Sequence, residues 1–524
     1  MKQLRRVVTS VTCLCLLPAF GQTTTSEAVL SERAAARLLD QATFGPTPTA
    51  IMELQQMGIA NWLETQFVLN PSDLPDQPIL GADGKINRDL SPVQAAFFAN
   101  AVTGNDQLRQ RVAFALSEIW VVSAVSTNFA YAYPSYWRIF RDNAFGNYRD
   151  IMKAVSLSPA MGNYLNMANN NKGNAAKGTA ANENYARELM QLFTIGLKRL
   201  KMDGTPVLDA NGAPIATYTQ SIVTDTARAL TGWTYPTAPD AIPKPNNPAY
   251  FFGSMIPVET RHDTTAKTII GGVKLPAGQT AEQDLDAVLD ALLARPTMAP
   301  FISRQLIQHL VTSNPSPQYV RRVATVFADN GAGVRGDLKA VITAILTDPE
   351  ARAGDDPSAA PNPGFGHLRE PVLFLANLLR GLNATIGADN RINNQANLLG
   401  QNVFRAPSVF SYFSPQYRLE NGEPAPEFQI YTTQTAASRT NVITSALYGK
   451  LDQTTTLDLS RFVLAASTIS GLLDAISYTF LHHSMSSELQ QAAASAANAA
   501  AVPKGRAQAA LYVVLTSSEY QVIQ

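Results

Sequence analysis

The chain has 524 residues, 41 Lys and Arg against 41 Asp and Glu, 46% hydrophobic and 16% charged residues. That balance excludes a disordered tail protein and a polybasic nucleic-acid binder, and the length is enough to bury a large core.

In chain order, Lys2, Arg5 and Arg6 precede an apolar run from Val7 to Phe20, and the small residues Ala19 and Gly21 complete a cleavage site. Residues 1–21 therefore read as a secretory signal peptide cleaved near Gly21, which places the mature protein in the periplasm or outside the cell. Its removal takes away three basic and no acidic residues and leaves a mild acidic surplus. Both cysteines, Cys13 and Cys15, lie within that leader. On this reading the mature chain forms no disulfide and uses no thiolate as nucleophile or metal ligand. No later stretch approaches the roughly 18 apolar residues of a membrane helix.

Helical signals dominate from there. Ser31 opens an Ala/Leu-rich segment that stops at Phe44-Gly45-Pro46, and Thr47 caps a second helix beginning at Pro48 and ending near Gly58. Residues 70–92, rich in Pro and Gly, form a loop. Leu108, Val112, Ala115, Leu116, Ile119 and Val122 recur at helical spacing, so one face of that segment is core. Between residues 285 and 349 four more apolar-periodic segments, each ended by a proline or a turn, predict a bundle-like stretch. Strand signals are sparse: small hairpins are expected near 205–217 and 268–275, where glycines sit at the turns. The tail from Ser486 is Ala-rich and helical by propensity, interrupted at Pro503-Lys504-Gly505. The expected fold is mainly α: one multi-helix core over residues 28–524, with small β-hairpins.

Chemistry concentrates in few places. Gly331-Ala332-Gly333-Val334-Arg335-Gly336 matches a dinucleotide-binding string but follows a helical segment rather than a buried strand, so it reads as a loop between helices. No nucleophile elbow, zinc-protease motif or P-loop occurs. The densest polar stretch is Asn182-Glu183-Asn184-Tyr185-Ala186-Arg187-Glu188-Leu189. On a helical wheel Glu188 lies at the rim of the face made by Tyr185, Leu189, Leu192 and Phe193, and Glu183 and Arg187 pair one turn apart. Two readings of Glu188 stand together: an ion pair with an arginine of another helix, Arg111 or Arg228, or a general acid or base. His262, in the polar run Arg261-His262-Asp263-Thr264-Thr265, is the histidine that reads as a site residue. His309, on an apolar helical face, reads as a core histidine, and one of His482 and His483 is expected to be exposed. Aromatic clusters at Phe129 to Phe140 and Phe404 to Tyr417 read either as helix-packing cores or as sugar-stacking platforms.

These motifs carry a family resemblance. Asn182 to Leu189, Leu38-Leu39-Asp40-Gln41-Ala42-Thr43-Phe44-Gly45-Pro46, Arg109 to Phe114, Ala144 to Tyr148, Ala227-Arg228-Ala229-Leu230-Thr231-Gly232-Trp233, His262-Asp263, Arg369-Glu370-Pro371 and Ser517 to Gln521 occur in the order of the bacterial domain of unknown function 1800 family, which the chain resembles from about residue 30 to its end. The resemblance implies a mainly helical, commonly exported protein. It supplies no reaction, no cofactor and no catalytic residue, and it implies as a partner an exported protein of the domain of unknown function 1501 family. Two functions follow as expectations. One is an envelope or extracellular interaction protein working with that partner. The other is a hydrolase-like enzyme on envelope or extracellular polymers, with Glu188, His262 and Asp263 as candidate catalytic residues and Arg187, Arg228 and Trp233 as candidate substrate-binding residues. No metal or cofactor is assigned to either, and no nucleic acid is expected as a partner.

Overall fold

A computed structural model describes residues 30–356, 358 and 364–523. The signal-peptide reading therefore lies outside the described residues. About half of the chain, 51%, is helical, and the described strands form only two-stranded pairs, so the fold is mainly α.

The local signals translate directly into elements. The helix Glu32–Ala42 starts where Ser31 accepts a hydrogen bond from the Ala34 amide. Pro48–Val68 starts where Thr47 does the same for Ala50. Helical geometry breaks at Gly58 as expected, with φ 73 and ψ 162, and a second helical segment follows directly to Val68, because Trp62, Leu63 and Phe67 supply a further buried face. The four-helix stretch is Ala281–Leu293, Met298–Leu310, Pro317–Ala328 and Leu338–Thr347. Between the last two, the glycine string is a loop whose Asp329 carboxylate accepts from the Gly331 and Gly333 amides. The Ala-rich tail forms Ser487–Asn498 and Pro503–Thr516.

Both expected hairpins are present. Lys267–Ile269 pairs antiparallel with Val273–Leu275, and Gly271 and Gly272 take positive φ at the turn. Around Asp209 to Gly212 the chain also turns back on itself, with single bridges Leu208 to Pro214, Lys198 to Ala216 and Leu200 to Pro206 instead of continuous strands. Two prolines in those bridges lack the amide that a longer ladder requires.

One cluster of buried apolar side chains runs from Ala35 to Ile523. Within it the helix Gln107–Ile119 is buried on nearly every side and packs against Met298–Leu310. The chain's end returns to this centre: Val522–Ile523 pairs antiparallel with His367–Leu368, and the Arg369 amide donates to the Gln521 carbonyl. That pairing sets the start of the helix Pro371–Gly381, whose first turn is preceded by Glu370. Among the described residues no helix is long and apolar enough to cross a membrane.

Candidate functional site

Three rigid elements bring ionisable groups together at the centre of this core. Arg111 and Glu118 are seven residues apart on Gln107–Ile119, so they share one face. His309 comes from the last turn of Met298–Leu310, and Glu370 sits immediately before Pro371–Gly381. One donor atom each from Glu118, His309 and Glu370 lies within 4.8 Å of the other two. Gln401 ties the carboxyl groups: its Nε2 donates to Glu118 Oε1 at 3.0 Å and to Glu370 Oε2 at 2.5 Å, and its Oε1 accepts from the Val372 amide. Arg111 donates to the His309 carbonyl, and its Nε and Nη1 have no hydrogen-bond partner. Among the described residues it forms no ion pair with a carboxylate.

The second oxygen of Glu118 is the unusual atom. Oε2 is buried, lies 3.3 Å from His309 Nδ1 and makes no hydrogen bond. The Glu118 side chain is 2% exposed and that of His309 12%. Burial pushes Glu118 up to about 8, more than the hydrogen bond to Glu370, the Arg111 charge and Gln401 pull it down. Burial and the neighbouring Glu118 push Glu370 up to about 8 as well, and burial lowers the proton affinity of His309. Beyond them Glu427 accepts from Ser313 Oγ, and its other oxygen lies 3.7 Å from His367, a buried histidine with both ring nitrogens unpartnered.

Glu118 links the cluster to open space. A cavity of about 390 Å³ is bounded by Glu118, Gln191, Leu197, Phe301, Arg304, Gln305, Gln308, Phe410 and Arg418. A smaller one, about 20 Å³, touches Glu118, His309 and Glu427 and shares Gln305, Gln308 and Phe410 with the larger. Arg304 makes no hydrogen bond or ion pair among the described residues, and burial and the nearby Arg418 charge both depress its proton affinity. Arg418 gives one bond to the Gly422 carbonyl, and Lys198 adds a third cation to the wall. A cavity that meets the Glu118 carboxyl group and carries Arg304 and Arg418, neither in an ion pair among the described residues, on its wall is built to take a ligand that is anionic at one place and reacts or coordinates at another.

The residues that sequence reasoning singled out fall in two other places. His262 is fully buried, with Nδ1 2.9 Å from the Thr231 carbonyl and Nε2 3.1 Å from Asp284 Oδ2. Lys267 Nζ meets the same Asp284 oxygen at 2.7 Å. Asp263 faces the other way, toward Arg228, which also bonds Asp225 and Thr265. Burial would raise the Asp263 carboxyl, but Arg228 and the Thr265 hydrogen bonds hold it well below the ordinary carboxylate range. Trp233 is buried, with its backbone paired to Pro257. His262, Asp263, Arg228 and Trp233 are thus brought together around the Thr231-Gly232 turn, where Gly232 at φ 86 lies too close to the His262 backbone for any Cβ.

Glu188 is half-buried on Asn184–Gln191, without the cation from a distant helix that its position suggested. Arg111 belongs to the Glu118 cluster and Arg228 to Asp263. Its Oε2 has no hydrogen-bond partner, and burial raises its pKa, opposed by the Arg187 charge. Arg187 pairs with Glu183 at 2.9 Å as the spacing required. His309, read as a core histidine, is the one that opens onto a cavity. The signal that could have found this site was Arg111 and Glu118 two turns apart on a face otherwise apolar, together with Glu370 in the recognised Arg369-Glu370-Pro371 motif.

Comparison with known proteins gives one result. A family model described as "Protein of unknown function (DUF1800)" matches residues 37–522, and the chain belongs to that family. No curated protein and no solved structure matches it.

Proposed function

We propose that this DUF1800 protein is a hydrolytic enzyme that holds an anionic, hydroxyl-bearing oligomer, of the uronic-acid glycan type, in the 390 Å³ cavity and cleaves it at the Glu118–Glu370–His309 cluster. One observation carries the reading. Polar groups with spare bonding capacity belong to residues that line the same cavity: Arg304 beside Arg418, and Glu118, whose Oε2 is buried behind the cavity surface without a hydrogen-bond partner. Two adjacent guanidinium groups repel each other, and an anion between them converts that cost into charge-assisted hydrogen bonds. Phe301 and Phe410 offer apolar faces on which a sugar ring rests. Glu118, backed by His309 and Glu370, then positions water against the bond to be broken, a role suited to acceptors held by rigid elements.

The test is release of reducing ends from polygalacturonate, alginate or hyaluronate, with neutral glucans as controls. Wild type cleaves at least one anionic polymer, Glu118→Gln loses at least about 100-fold in rate, and Arg304→Ala weakens binding more than turnover. Cleavage undiminished in Glu118→Gln, or no binding and no cleavage of any anionic polymer, overturns the reading.

Export belongs to the same proposal, since such substrates lie outside the cytoplasm. N-terminal sequencing of fractionated protein checks it, and an intact Met1 in the cytosol defeats it. The interaction role with an exported DUF1501 partner gives the cavity no task. It would be preferred if Glu118→Gln and wild type captured that partner equally and neither cleaved any polymer.

A further inference from the structure

The buried carboxyl groups at the cluster outnumber the cations beside them. Glu118, Glu370 and Glu427 are three buried carboxyl groups; the buried Arg439, held by Gln521 and the Arg369 carbonyl, is within electrostatic reach of Glu370, and the guanidinium closest to both Glu118 and Glu370 is that of Arg111. That guanidinium is bonded to a main-chain carbonyl and forms no ion pair with a carboxylate among the described residues. Buried carboxylates are stable only when a cation faces them or when they take up protons. Glu118 Oε2 is enclosed by protein, accepts nothing, and lies 3.3 Å from a ring nitrogen of His309 without a hydrogen bond between them. An oxygen and an imidazole nitrogen that face one point without bonding each other leave room for a third atom at that point.

We infer that the Glu118–Glu370–His309 cluster is a binding site for one divalent first-row metal cation, with a coordination position open toward the cavity. The three donor atoms lie within 4.8 Å of one another, so small side-chain rotations bring each to the roughly 2.0–2.2 Å of zinc-type coordination. Two carboxylates and one imidazole suit zinc, manganese or iron, and they bring the two negative charges that a divalent ion needs. The surrounding contacts are those of a metal's outer shell. Gln401 orients both carboxyl groups by donating to one oxygen of each and leaves Glu118 Oε2 without a partner, while Arg111 fixes the end of the helix that carries His309. Three protein ligands leave a fourth position, and Glu118 is the ligand that borders both cavities, so a bound water faces the substrate space. A cation there lowers the pKa of that water and supplies the nucleophile of a hydrolysis: the water oxygen bonds to the attacked atom, its proton leaves to solvent or a neighbouring base, and the departing oxygen is reprotonated.

This inference deepens the hydrolytic reading and shares its site, so the experiment separates them. The full mature chain, dialysed against EDTA and then against buffer, is titrated with Zn²⁺ by calorimetry and with Co²⁺ by visible absorption. Wild type takes up one equivalent, melts at a higher temperature with metal, and shows the intense d–d bands of Co²⁺ in a low-symmetry site. Glu118→Gln and His309→Ala, checked for folding by circular dichroism, each bind at least about 10-fold to 100-fold more weakly. No stoichiometric uptake by wild type, or affinity unchanged in both variants, overturns the inference. If neither variant folds, the wild-type Co²⁺ spectrum decides alone, and the spectrum of the hydrated ion overturns it. Metal uptake with no polymer cleaved leaves the metal site standing and removes the hydrolytic reading. Cleavage by metal-free protein that takes up no cation does the reverse.

Discussion

The ion pair between Asp40 and Arg369 joins the first helix to the segment that precedes Pro371–Gly381, and replacing Asp40 with Asn measures what it contributes. Asp40 Oδ2 accepts from Arg369 and from His482 Nε2 at 3.1 Å, and Oδ1 accepts from Asn377 Nδ2 at 3.0 Å. Arg369 also reaches the Tyr520 carbonyl and lies over the Tyr520 ring. An Asn at position 40 keeps the shape. The bond to Asn377 survives by rotation of its amide, because Asn377 Oδ1 is buried and unpartnered. Only the charge is lost, and with it the counter-charge of a buried guanidinium, a change that costs about 3–5 kcal/mol. Burial would raise the Asp40 carboxyl, but the Arg369 charge and the His482 hydrogen bond pull it from 3.8 to about 2. At 1.36 kcal/mol per tenfold change in proton affinity that shift is worth roughly 2–3 kcal/mol, which places the expected loss at the lower end of the range. Because the folded pKa is depressed, this stability is fully present above pH about 4 and disappears as pH falls toward 2. Urea denaturation of wild type and Asp40→Asn at pH 7, 5, 3 and 2.5 reads the difference. A gap of about 3 kcal/mol at pH 7 that narrows below pH 4 is expected. A gap below about 1 kcal/mol at pH 7, or one that does not narrow between pH 5 and 2.5, refutes the ion-pair account.

Other outcomes follow from the same reasoning. His262→Ala leaves the Thr231 carbonyl without its partner, takes from Asp284 one of two partners, Lys267 being the other, and opens a void in a site with no access to water; it lowers stability by about 2–4 kcal/mol in thermal or urea unfolding, and a loss under 1 kcal/mol would show that His262 is not a structural anchor. Glu188→Gln leaves unfolding within about 0.5 kcal/mol of wild type at pH 7, since no buried cation is left behind; a drop of several degrees in midpoint would reveal a partner absent from the described contacts. Arg304→Ala relieves the repulsion from Arg418 and leaves the unfolding midpoint unchanged or slightly raised, and the same variant loses affinity for polygalacturonate in calorimetry; a clear destabilisation contradicts an unpaired Arg304.

What the sequence determined by itself was everything local in origin. Helix starts at Ser31 and Thr47, the turn at Gly271-Gly272, the loop nature of the 331–336 string and the Glu183–Arg187 pair each depend on residues within a few positions, and capping, positive φ and one-turn spacing are properties of short segments. That one of His482 and His483 is exposed was also legible; that it is His483 was decided by the left-handed turn the two residues occupy. Family membership was legible too, because it resides in the order of short motifs along the chain. Only the tertiary structure decided which polar residues meet. Arg111, Glu118, His309, Glu370 and Gln401 are separated by up to 290 positions, and periodicity reports that a face is buried without reporting what covers it. A histidine on an apolar face looks the same in sequence whether it is packed against leucines or opposite a glutamate, so His309 read as core while His262, in a polar loop, read as a site. The structure exchanges those environments: Gly232 and Asp284 close over His262, and the space between the 107–119 and 298–310 helices and the 404–427 loop opens beside Glu118 and His309. The physical reason is that burial of a titratable group is a property of the whole packed chain, set by the elements that arrive from elsewhere, and no window of residues contains it.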